Sequence, residues 1–135
     1  MAVSMTTRHR TNMESCVKNV VAALRKTRAV KAVILFGSYA RGEQKPLSDI
    51  DICVVTEQTI SDALKANIAS LASEQVELSF FWDLPPMVRY NVLRDGKMLL
   101  SRDREFMHDA VVATMSEYLD FQHIIKRNLA RVFGT

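Results

Sequence analysis

Two pairs of residues in this chain have the types and spacing that phosphate chemistry needs: Gly37-Ser38, and Asp49 with Asp51 around a single isoleucine. Each pair borders a short apolar run, Ala32 to Phe36 on one side and Ile50 to Val55 on the other. Short β-branched runs bounded by such residues predict two strands. Side chains alternate across a strand, so Asp49 and Asp51 project from one face and Ile50 and Ile52 from the other. Two carboxylates on one face at the start of an apolar strand repel each other. A hard divalent cation resolves that repulsion, and Mg²⁺ is held by one or two carboxylates together with substrate phosphates. A glycine directly after a buried strand lets backbone approach a ligand, and the hydroxyl of Ser38 can donate to a phosphate oxygen. If the two strands are neighbours, phosphates on the Gly-Ser turn lie beside the metal. That arrangement suits phosphoryl or nucleotidyl transfer, where catalysis is mainly positioning and charge neutralisation.

The elements that must position these groups follow from periodicity. Thr11 to Glu14 has the spacing of a helix capping box. Met13, Cys16, Val17, Val20 and Leu24 then recur at helical intervals to about Thr27. The basic run Arg25 to Arg28 reads as a solvated helix end. Residues 1–11 are expected to be a flexible N-terminal tail, and 12–135 a single domain. Between the two motifs the polar loop 39–48 ends near Pro46, and Arg41 within it is close enough in sequence to reach a triphosphate held by Gly37-Ser38. A second amphipathic helix is expected over 59–73, with Ile60, Leu64, Ile68 and Leu71 on one face. Val76 to Trp82 reads as a third strand, with Glu77 and Ser79 sharing one face. Pro85-Pro86 breaks it, and a short helix over Met87 to Leu93 and a strand over Lys97 to Leu100 follow. From Arg102 a helix of about eight turns runs to Gly134, longer than a small sheet needs for cover. Its distal part is expected to dock on a partner or a second copy, unless it packs within the chain.

Gly37-Ser38, ten residues, then Asp49-Ile50-Asp51 resembles the signature of the polymerase-beta-type nucleotidyltransferase superfamily. More narrowly, Gly-Ser-Tyr-Ala-Arg-Gly-Glu with Ser-Asp-Ile-Asp-Ile is similar to the minimal nucleotidyltransferases, or MNT proteins. The proline, helix, glycine and apolar strand of residues 84–100 are a weaker echo. The resemblance implies an α+β fold: a small mixed β-sheet flanked by helices, with a long C-terminal helix. It implies a short helix in the loop before Pro46, and ATP as the donor of AMP to a hydroxyl. It also implies two Mg²⁺ ions held by Asp49, Asp51 and a third carboxylate on the next strand, with Gly37, Ser38 and Arg41 on the nucleotide. Relatives commonly carry aspartate at the third position. This chain offers Glu77, with Asp83 as the competing choice. Such proteins are commonly antitoxins whose partner is a HEPN-type ribonuclease toxin, inactivated by AMP transfer to a tyrosine. Two other readings stand beside this one: a module that neutralises its partner by binding alone, and a nucleotidyltransferase acting on a small molecule or RNA.

Composition narrows the field further. With 48% hydrophobic and 24% charged residues, the 135-residue chain has the make-up of a soluble globular domain. A net charge of +3 is too small to argue for nucleic-acid binding. Cys16 and Cys53 fall in the apolar patterns of a helix and a strand and read as small buried hydrophobes. His9, His108 and His123 have no metal-ligand spacing, and Trp82 and Tyr39 read as packing residues. No membrane span or signal-peptide core appears, so a cytoplasmic location is expected.

Overall fold

The structure, a computed structural model, describes residues 2–37 and 50–134, the side chains of residues 2–13 and 133 excepted. Ser38, Arg41, Asp49 and the helix expected before Pro46 lie outside the described residues. The elements in order are α1 (Ala2–Arg25), β1 (Val30–Phe36), β2 (Ile50–Thr56), α2 (Asp62–Ala69), β3 (Val76–Phe80), a 3₁₀ turn (Phe81–Asp83), α3 (Pro86–Asp95), β4 (Lys97–Ser101) and α4 (Arg104–Phe133). This is the α+β architecture the resemblance implies. The four strands form one mixed sheet in the order β3-β2-β1-β4. β1 runs antiparallel to both β2 and β4, while β2 and β3 are parallel and joined across α2.

Alternation along the strands sorts the core into two layers. On one face Val33, Leu35, Ile50, Ile52, Val54 and Val76 pack under Val20 and Leu24 of α1 and Ile68 of α2. On the other, Ala32, Ile34, Cys53 and Val55 pack under Phe81, Val92 of α3, and Met107 and Ala110 of α4. Among the described residues, no helix is long and apolar enough to cross a membrane.

Several boundaries differ from the periodicity reading. α1 runs back to Ala2, through the segment set apart as 1–11, so Thr11 to Glu14 lies inside a helix. The capping pattern is a local signal, and residues 2–25 contain no glycine or proline to end a helix there. α2 is shorter than expected: Ser61 caps it by accepting from the Leu64 N–H at 3.1 Å, and it ends at Ala69. β3 stops at Phe80, where Phe81 turns its ring fully into the core. Asp103 accepts from the Phe106 N–H, which starts α4 two residues later than the apolar pattern places it. Gly134, in the left-handed region at φ 72°, closes α4.

Candidate active site

Strand register brings the described parts of the motif together. Phe36 is the partner of Asp51 across β1 and β2, so the Gly37 turn stands directly over the start of β2. Asp51 is in turn the partner of Glu77 across β2 and β3. Partners in adjacent strands share a face, at a strand separation of about 4.8 Å. Ile50, Ile52, Val76 and Leu78 go to the α1 and α2 layer. Asp51 and Glu77 therefore stand side by side on the opposite face, one half-buried and one exposed.

Gly37 is part of the same construction. Its φ of +81° is in the left-handed region that residues with a Cβ rarely adopt. A Cβ added there would lie 2.4 Å from Oδ2 of Asp51. Gly37 thus lets the Asp51 carboxylate sit against backbone, a contact that requires the absence of a side chain. The sequence reading placed Gly37 as a phosphate cradle and had no account of this contact. The signal that could have found it is the pairing itself, since a hairpin joining the two runs sets Gly37 beside Asp51.

The choice between Glu77 and Asp83 is one of distance. Asp83 ends the 3₁₀ turn, about 15 Å further along the chain than Glu77 at the usual rises of strand and 3₁₀ turn. Its carboxylate is held at 2.6 Å by Nζ of Lys65 from α2. At that end of the sheet Trp82 Nε1 donates to the Thr56 carbonyl at 2.7 Å, and its ring meets Phe81 and Phe106 edge to face. Trp82 is a packing residue, as expected. Arg89 is buried beneath α4, donates to the Leu84 carbonyl at 2.9 Å and pairs with Glu117.

The donor set fits a hard divalent cation. Asp51 and Glu77 offer oxygen only, on neighbouring strands, and two adjacent carboxylates repel by about 3 kcal/mol at 5 Å and an effective dielectric near 20. Among the described residues no cluster of three or more His, Cys, Asp or Glu forms, and Asp49 falls outside them. Cys53, on the same face and one alternation inward from Asp51, is no competitor. Burial pushes its thiol up to about 12, so it stays protonated and inert.

The family model for polymerase beta nucleotidyltransferases matches residues 18–105. A Methanocaldococcus jannaschii protein named as a putative protein adenylyltransferase is 52% identical over 98 residues, an alignment covering 65% of this chain and 98% of that one. A toxin–antitoxin crystal structure with AMP-PNP superposes with a TM-score of 0.66 at 25% identity, covering 85% of this chain and 97% of that one. A structure of a tri-AMPylated Shewanella oneidensis HEPN toxin in complex with MNT antitoxin shares the fold, with a TM-score of 0.60 at 22% identity over 93% of this chain and 98% of that one. The chain also matches bifunctional uridylyltransferase/uridylyl-removing enzymes of Vibrio atlanticus and Photobacterium profundum, but spans only 5% and 6% of their lengths.

Proposed function

The chain belongs to the polymerase beta nucleotidyltransferase family, and on that premise we propose that it transfers AMP from ATP to a hydroxyl on a partner protein. The observation that carries this reading is the pairing of Asp51 with Glu77 under the Gly37 turn. Family membership alone fits many acceptors. The relative named for protein adenylylation and the toxin–antitoxin neighbour with AMP-PNP support ATP as donor and a protein as acceptor. The neighbour that pairs with an AMPylated HEPN toxin supports a partner of that kind.

Each of the chain's own groups has a task in this reaction. Gly37 and Ser38 hold the triphosphate with backbone N–H and hydroxyl donors, and Arg41 adds positive charge. Asp49, Asp51 and Glu77 would hold Mg²⁺, two ions in all, which when bound neutralises phosphate charge and makes the acceptor hydroxyl more acidic. The acceptor oxygen attacks the α-phosphorus and forms a new P–O bond. The bond from that phosphorus to the bridging oxygen breaks, and pyrophosphate leaves. A carboxylate oxygen of Glu77 takes the hydroxyl proton, a contribution of about 10²–10⁴-fold for a positioned base. Gly37 keeps the Asp51 carboxylate against backbone, so its direction is preset before substrate arrives.

The test is incubation of the purified chain with Mg²⁺, α-labelled ATP and the product of the neighbouring gene. Label on the partner with wild type, and none with Asp49→Ala/Asp51→Ala, is the expected result. No label, with the partner neutralised equally by both forms, would instead make this a protein that acts by binding alone.

A further inference from the structure

The sheet order sets the groups of the site in a row. β1 leads into the Gly37 turn, β2 carries Asp51, and β3 carries Glu77 at the margin of the sheet. With strands about 4.8 Å apart, Glu77 stands about 10 Å across the sheet from the strand that ends in the Gly37 turn. Attacking and leaving oxygens lie roughly in line in phosphoryl-type transfer. Phosphates held at the β1 turn put the leaving pyrophosphate on that side, so the acceptor arrives from the β3 side. There Glu77 is exposed, and among the described residues no strand lies beyond it.

The backbone of β3 says what can dock along this margin. Successive residues of a strand turn their N–H and C=O groups alternately to its two sides. The Gln75 carbonyl accepts from the Ile50 N–H at 2.8 Å, so Gln75, Glu77 and Ser79 address β2, while Val76 and Leu78 address the margin. Ser73 takes up both outward groups of Val76. Its hydroxyl accepts from the Val76 N–H at 3.2 Å, and its own N–H donates to the Val76 carbonyl at 3.0 Å. At the other limit β3 ends at Phe80, where the 3₁₀ turn begins. Between these two stops the outward N–H and C=O of Leu78 have no partner among the described residues. An open donor and acceptor on an edge strand are a template for one more strand.

We infer that the acceptor hydroxyl is carried on an extended segment of the partner protein, which adds to the sheet along Leu78. This rests on the reading of Glu77 as the group that takes the hydroxyl proton. The Leu78 side chain packs toward the α1 and α2 layer, so its neighbours Glu77 and Ser79 face the site. A residue paired with Glu77 on the added strand shares that face, its Cβ about 5 Å from that of Glu77. Its hydroxyl oxygen then bonds to the α-phosphorus as pyrophosphate leaves, and the proton passes to Glu77. Main-chain pairing supplies the binding, so the acceptor needs an extended stretch of chain and no folded surface around it.

The probe is a synthetic peptide of about ten residues, the length of a long strand, centred on the residue that wild type labels in the neighbouring gene's product. Wild type is expected to label this peptide, and the Leu78 amide should exchange its hydrogen more slowly when the peptide is present. Leu78→Pro removes the outward N–H and leaves the bonds to β2 in place, since an edge strand accepts proline. It should raise KM for the peptide about tenfold above that of Leu78→Ala, which loses the same side chain but keeps the N–H. The same peptide N-methylated along its backbone should lose the label, a result that does not depend on how the proline variant folds. Label on the folded partner but not on the peptide, equal KM for the two Leu78 variants, or label on the N-methylated peptide would each overturn this docking mode and leave AMP transfer to a protein standing. No label on the partner from wild type would overturn that transfer, and the docking mode with it.

Discussion

The two ends of the sheet are built from the same strands and are opposites in chemistry. At the end where β2 and β3 begin, Asp51 and Glu77 stand side by side under a glycine turn. At the end where they finish, Phe81 and Trp82 close over the layer and Asp83 is turned outward to Lys65. One end keeps two carboxylates close on neighbouring strands, the donor set proposed above for Mg²⁺. At the other end Phe81 is fully buried, and the carboxylates there are already paired, Asp83 with Lys65 and Glu57 with Lys31. A carboxylate's role here follows from what surrounds it, since Glu77 and Asp83 sit six positions apart on one continuous stretch.

Substitutions should separate the two ends cleanly. The largest effect is expected from Asp51→Asn, which should lower labelled-AMP transfer about 10³-fold, or about 4 kcal/mol in barrier, while thermal unfolding stays near wild type. Phe81→Ala should do the reverse. It should remove about 3–5 kcal/mol from unfolding stability by denaturant titration, with transfer per folded molecule little changed. Between the ends lies Cys53, whose thiol burial pushes from 9.0 to about 12. The unfolded chain releases that proton from about pH 9 while the folded chain holds it, so the stability from this group is full below pH 9. It falls by about 1.4 kcal/mol per pH unit as pH rises toward 12, and Cys53→Ala should flatten that slope in urea melts. The smallest effect is expected from Asp83→Asn. Loss of an exposed ion pair to Lys65 should change stability by less than about 1 kcal/mol and transfer by less than about twofold. A large loss of transfer with Asp83→Asn would move the third carboxylate to the wrong end of the sheet.

Much of this was legible in the residues. The two runs beside Gly37-Ser38 and Asp49-Ile50-Asp51 are strands, and they are neighbours, as the motif spacing requires. Glu77 and Ser79 share a face because alternation is a property of the strand itself. The long final helix was legible for the same reason, since a periodic stretch without glycine or proline has few other conformations. The boundaries were less so. The capping box at Thr11 did not start α1, and Phe80 ended β3 two residues early. Both turn on where a side chain finds burial or a cap, which a local pattern does not encode. Pairing was legible only as a condition: two strands with the right motifs could serve one site if they were adjacent.

Sequence alone determined the kinds of group available, their spacing along the chain and the face of each strand on which they stand, because those depend on covalent order and backbone geometry. Only the tertiary structure decided that Glu77, and not Asp83, stands beside Asp51. It also set Gly37 against the Asp51 carboxylate, and left much of the distal half of α4 exposed among the described residues. Those outcomes depend on strand order and register, which are settled by packing between residues far apart in the chain.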